Sequence, residues 1–154
     1  MVEMLIISES GNKTWYRYEN GRFVLERILN IQVPLAYGIV PATFGVDGEP
    51  IDGFVICSQA LKQGTYVNVR IIGFIRIKMK NIFNDIILTV PEADEELSDV
   101  KELLDIPRKT RADLEAFVRT LYEDVRQIET FSSEHALRLI KKGYELYKRK
   151  TGRN

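Results

Sequence analysis

The sequence predicts a mainly β fold with flanking helices: a small barrel first, helices after it. Two observations carry this. Up to about residue 92 the chain is rich in Val, Ile, Phe and Tyr and broken by turn residues, and beyond it the hydrophobic period becomes helical. The strand segments follow one another with no helices between them, which favours a small barrel over a βαβ sheet.

WYRYE (15–19) and part of RFVLERIL (22–29) alternate, and Asn20–Gly21 between them suits a type I′ hairpin turn, since both residues tolerate positive φ. TYVNVRIIGFIRIK (65–78) is long and β-branched, with Gly73 as a bulge or bend. DIILTV (85–90) is a further strand, ended by Pro91. DVKELLD (99–105) reads as a short helix stopped by Ile106–Pro107. TRADLEAFVRTLYEDVRQI opens with Thr110 and Asp113 as a capping pair and sets Leu114, Phe117, Val118, Leu121, Val125 and Ile128 on one helical face. Ser132 or Ser133 caps a last helix whose stripe is Leu137, Ile140, Tyr144 and Tyr147 and which ends at Thr151–Gly152. His135 in its first turn is a surface or capping residue, and the Lys and Arg residues at its far end complement the helix dipole.

A length of 154 residues implies one domain, spanning 1–154. With 22 basic and 22 acidic side chains the formal net charge is zero, so there is no bulk attraction to nucleic acid or to an anionic membrane. Cys57 is the lone cysteine and lies in the apolar run FVIC, which reads as a buried, inert thiol. The N-terminal segment has no basic region before its apolar patch, and no apolar run is long enough to span a bilayer. A soluble, cytoplasmic protein is the default expectation.

One segment carries chemistry. In VDGEPIDGF (46–54), Asp47, Glu49 and Asp52 fall within six residues, with Gly and Pro between them. Such residues form ordinary surface turns. Yet close carboxylates repel one another unless cations compensate, and hard oxygen ligands suit Mg2+, Mn2+ or Ca2+. The EF-hand spacing is absent. Upstream stand Glu19, Arg27 and Tyr37, and a polyanionic phosphate substrate uses both halves of such a set: metal ions on one side, Arg and Tyr on the other.

With these residues in view, the chain resembles the soluble, metal-dependent family I inorganic pyrophosphatases, over about Glu9 to Asp124. Tyr37–Gly38 followed ten residues on by Asp47-Gly-Glu49-Pro-Ile-Asp52 matches the family's acidic signature. Glu9 stands eight before Arg17, Glu19 two beyond it, and Arg27 on the next strand, as in the family's metal and phosphate positions. The resemblance implies an OB-like five-stranded barrel core with C-terminal helices. It implies Mg2+-dependent hydrolysis of pyrophosphate to two phosphates, with Mn2+ as an alternative ion. The implied catalytic residues are Asp52 and Glu49. The implied phosphate-binding residues are Arg17, Arg27, Tyr37 and Tyr122. The implied metal ligands are Asp47, Glu49 and Asp52, with Asp85, Glu9 and Glu19 as further candidates. A homo-oligomer, as large as a hexamer, follows from the resemblance alone.

The chain also departs from the family pattern. The middle acid is Glu49, Arg17 replaces Lys, and Val33 replaces a tyrosine. Met79, Asn84 and Ile86 stand where the family has a lysine and two carboxylates, and Asp85 replaces one only through a shift of strand register. Glu123 replaces the late lysine beside Tyr122. Three functions therefore compete: a diverged pyrophosphatase, a hydrolase of another phosphoanhydride, and a non-catalytic relative that binds metal or phosphate or serves a structural role.

Overall fold

A computed structural model describes residues 2–152. Eight strands and two helices run in the order β1 (Val2–Ser8), β2 (Thr14–Glu19), β3 (Arg22–Ile28), β4 (Ala36–Ile39), β5 (Asp52–Val55), β6 (Tyr66–Lys78), β7 (Phe83–Pro91), α1 (Arg108–Leu121), β8 (Gln127–Ser132) and α2 (Ser133–Thr151). The main sheet has six strands in the order β1-β4-β5-β7-β6-β8, and β2-β3 form a separate two-stranded sheet. The expected OB-like five-stranded barrel core is corrected to this arrangement. β6 is long enough to take two partners along one edge: its first residues pair with β1 (Val2↔Val69 to Leu5↔Tyr66), and its later ones with β8 (Gly73↔Ser132 to Lys78↔Gln127). β8 therefore occupies edge that a plain five-stranded barrel would leave free.

Two hydrophobic cores flank the sheet. Alternation along β7 sends Ile86, Leu88 and Val90 to one face, where they meet Leu114, Phe117, Val118 and Leu121 of α1. It sends Ile87 to the other, where Phe74, Ala136 and Ile140 pack. Burial of both faces explains why residues 86–90 of β7 read as a near-continuous apolar run, with Thr89 its one polar side chain.

The hairpin forms as the sequence predicts. Asn20 and Gly21 take φ of 52° and 74°, the signs a type I′ turn requires. Gly73 marks a register shift in β6, and a Cβ there would lie 2.6 Å from the Phe131 carbonyl oxygen, so the close approach of β8 needs glycine. Ser132 caps α2 by accepting from the His135 amide, and Gly152 ends it in the left-handed region.

Three helical expectations are corrected. Only Leu103–Asp105 of the segment 99–105 is helical, as a 3-10 turn. α1 begins at Arg108 with Pro107 at its N-cap, so Thr110 lies inside the helix and caps nothing. It ends at Leu121, and Ile128 lies on a strand. The buried face of α2 is Ala136, Ile140 and Gly143, while Leu137 is exposed. Cys57 is partly rather than fully buried. Its Sγ lies 3.4 Å from Asp94, and burial and that carboxylate push the thiol up, away from nucleophilic character. No helix among the described residues is long and apolar enough to cross a membrane.

Candidate active site

A cleft of about 340 Å³ opens where the β2–β3 hairpin faces the ends of β4, β5 and β7 and the C-terminal end of α1. One wall is acidic. Asp52 is the first residue of β5, and alternation places it on the same face as the core residue Phe54. Across the β4–β5 ladder Tyr37 opposes Phe54 and Ile39 opposes Asp52, so Tyr37 and Asp52 are diagonal neighbours on one face. The Tyr37 hydroxyl donates to Asp52 Oδ2 at 2.5 Å. Trp15 packs on the Tyr37 ring with centroids 4.5 Å apart, which fixes the tyrosine.

Burial dominates the electrostatics here. It raises the Asp52 carboxyl to about 6; the Tyr37 hydrogen bond works against the rise, and the charges of Asp47 and Asp85 add to it. Burial and the Asp52 charge push the Tyr37 hydroxyl well up, and burial does the same to Tyr122. Both tyrosines are therefore protonated hydrogen-bond donors at any neutral pH.

Asp47 and Glu49 line the same wall. The Asp47 carboxylate accepts from the Glu49 amide at 3.0 Å, and the Gly45 amide donates to the Glu49 carbonyl, so the acidic loop is held by its own turn chemistry.

The opposite wall is cationic and aromatic. Arg17 and Arg27 come from the hairpin, where a register shift between Trp15 and Tyr16 leaves Glu26 without a cross-strand partner. Arg27 Nη2 donates to the Leu121 carbonyl at the end of α1, which ties the hairpin to the helix. Arg17 is bridged to Glu19 at 2.8 Å on the exposed side of the hairpin. Tyr122, just past α1, completes this wall.

The structure thus brings Arg17, Arg27, Tyr37, Asp47, Glu49, Asp52, Asp85 and Tyr122 to one cleft, and leaves Glu9 and Glu19 outside its lining. Glu9 accepts from the Gln63 amide at 2.8 Å and from Asn12, and serves a loop. Asp85 reaches the cleft, but it opposes Arg76 in the β6–β7 ladder and is bound to it twice, at 2.8 and 2.9 Å, with only 12% of its side chain exposed. The Arg76 guanidinium lies over the Phe83 and Phe131 rings, at 4.4 and 5.4 Å from their centroids. Asn84 lines the cleft, whereas Ile86 is fully buried and Met79 packs on the α1 core. Sequence reasoning missed Glu26, Tyr16 and Tyr18 as lining residues. Regular alternation along β3 gives no sign of Glu26, because the bulge that turns it inward has no glycine or proline to mark it.

A donor set made only of carboxylates suits a hard cation such as Mg2+ and not zinc. Among the described residues no three His, Cys, Asp or Glu side chains converge to hold a metal. The residues therefore fit an ion held by one or two carboxylates together with substrate oxygens, and do not fit an all-protein cage.

The family model for inorganic pyrophosphatase matches residues 2–148. The inorganic pyrophosphatase of Halalkalibacterium halodurans is 28% identical over 96% of this chain and 96% of its own length. That of Thermus thermophilus is 30% identical over 72% of this chain and 65% of its own length. Solved structures of the Thermus thermophilus and Helicobacter pylori inorganic pyrophosphatases each superpose with a TM-score of 0.85 at 23% identity; both alignments cover 95% of this chain, and they cover 90% and 92% of those chains. At that identity the superpositions speak for the fold. Fold, cleft and relatives together define a hydrolase of phosphoanhydride bonds. The chain belongs to the family I inorganic pyrophosphatases.

Proposed function

We propose that the chain hydrolyses inorganic pyrophosphate to two phosphates with Mg2+ at this cleft, more slowly than a relative with the full set of charged groups. The observation that carries the reading is the part-buried Asp52–Tyr37 pair facing Arg17 and Arg27 across the cleft. One or two of Asp47, Glu49 and Asp52 would hold Mg2+ together with substrate oxygens, and the ion would neutralise substrate charge and polarise the attacking water.

Arg17, Arg27, Tyr37 and Tyr122 bind and orient the two phosphoryl groups. Arg27 is placed by its bond to Leu121 and keeps further N–H donors for phosphate oxygens. Asp52 takes the water proton as the water oxygen bonds to one phosphorus. The bond from that phosphorus to the bridging oxygen breaks, and the bridging oxygen leaves with the other phosphate. In the metal-free fold burial raises this carboxyl to about 6, toward the range suited to a base at neutral pH. Glu49, in the same loop, assists on the water side.

The expected slowness follows from the far side of the cleft. Met79 and Ile86 carry no charge, Asn84 is neutral, and Asp85 is committed to Arg76. Loss of one preorganised transition-state contact costs about 10²–10³ in kcat, so several losses place this chain well below a complete relative. The same features favour a second reading, phosphate binding without turnover.

Release of phosphate from pyrophosphate by the purified protein, with and without Mg2+, separates the two. Saturable release that EDTA and Asp52→Asn both abolish supports hydrolysis. Wild-type release no faster than that of Asp52→Asn refutes it, and a thermal shift by pyrophosphate without turnover then establishes the binding reading.

A further inference from the structure

A second cavity, of about 450 Å³, lies away from the catalytic cleft between the first half of α1, the 3-10 turn at Leu103–Asp105 and β8. Its walls are largely apolar, built from Ile75, Leu103, Leu114, Ile128 and Phe131. Leu104, also in the lining, is 79% exposed.

Three charged side chains line it, and two of them are already engaged. Glu102 accepts from the Ser133 amide at 3.0 Å and from the Ser133 hydroxyl at 2.7 Å. Glu115 pairs with Arg119 at 3.3 Å. Arg111 differs: its Nε is buried and has no hydrogen-bond partner among the described residues. A buried donor left without an acceptor costs about 1–3 kcal/mol, and more when the group is charged. Neither lining carboxylate is paired with Arg111, since Glu102 is held by Ser133 and Glu115 by Arg119, and the first turn of α1 holds no acidic residue.

We propose that this cavity binds a small amphipathic anion, its apolar body against Ile75, Leu114 and Phe131 and its acidic group on Arg111. The volume lies within the roughly 300–1,000 Å³ of small-molecule sites. An arginine presents Nε–H and Nη–H as a fork that matches a carboxylate or a phosphate monoester. Arg111 is the one lining side chain that such an acid would satisfy without breaking an existing ion pair. The inference stands apart from the pyrophosphatase reading, and turnover is not its readout.

The test titrates the whole protein with octanoate, octyl phosphate, octanol and octylamine, following the Arg111 Nε–H resonance and the thermal midpoint. Octanoate or octyl phosphate shifts that resonance and raises the midpoint, and whichever binds tighter names the acid. Octanol and octylamine do neither. Arg111→Gln weakens anion binding roughly tenfold or more, and Arg111→Lys restores part of it. Thr130→Trp narrows the cavity without removing Arg111 and weakens binding too, which keeps the test valid if Arg111→Gln fails to fold. Equal binding of octanol and octanoate overturns the proposal, as does unchanged affinity in Arg111→Gln or no anion binding at millimolar concentration. A wild-type oligomer that dissociates on Arg111→Gln assigns the cavity to a second copy of the chain and also overturns it.

Discussion

Asp52→Asn tests the electrostatics of the cleft independently of catalysis. The carboxyl has an ordinary value of 3.8 and rises to about 6 in the fold, chiefly through burial. A raised acid pKa means that the native state holds the proton more tightly than the unfolded chain. Stability therefore falls as pH climbs from about 4 to about 6, and the penalty is fully present above that range. A rise of this size corresponds to about 2–3 kcal/mol. Asparagine keeps an oxygen to accept from Tyr37 and removes the charge, so the variant escapes the penalty. Without divalent cations, Asp52→Asn should match wild type near pH 4 and exceed it at pH 7.5 by about 5–10 °C in thermal midpoint, at the 2–4 °C per kcal/mol usual for a domain of this size. Thermal or urea unfolding at four pH values between these limits measures it. A difference that stays constant with pH, or grows toward acid, refutes the reasoning.

Other expectations are more direct. Tyr37→Phe removes the hydrogen bond that holds the Asp52 pKa down, so the acid limb of the pH–rate profile should move to higher pH; a shift toward acid would contradict the assigned bond. Arg27→Ala frees the hairpin from Leu121 and removes the proposed phosphate contact, and should lower kcat/KM for pyrophosphate by roughly 10–100-fold, read in steady-state kinetics. Gly73→Ala sets a Cβ against the Phe131 carbonyl, which cannot rotate away as a side chain would, and should cost about 1–3 kcal/mol in urea unfolding with little effect on metal or phosphate binding.

Locally specified features were legible in the sequence. Asn20–Gly21 encodes its turn through backbone conformation alone, and Ser132 encodes its cap through one side chain. The acidic loop lines the cleft because it runs directly into β5, whose first residue is Asp52. Features set by distant partners were not legible. Val125 and Ile128 continue the helical period by coincidence, while the backbone turns at Asp124, with φ of 55°, and the following residues pair with β6. The fate of Asp85 depended on which residue of β6 stood opposite it, and that register is a property of the sheet. Glu26 enters the cleft through a bulge set by hairpin packing. Glu9 is drawn away by the Gln63 amide, far off in sequence.

The divided edge of β6 bears on how the chain comes off the ribosome. One half of that edge is covered by residues 2–5, made before β6, and the other by residues 127–132, made well after it. Until the later segment emerges, the second half of β6 lacks that partner while Phe74, Ile75 and Ile77 are already synthesised. Synthesis at about 5–20 residues per second makes this interval a few seconds long. It is the window in which a nascent chain is open to strand addition by a neighbour, and in which a holdase would have most to protect.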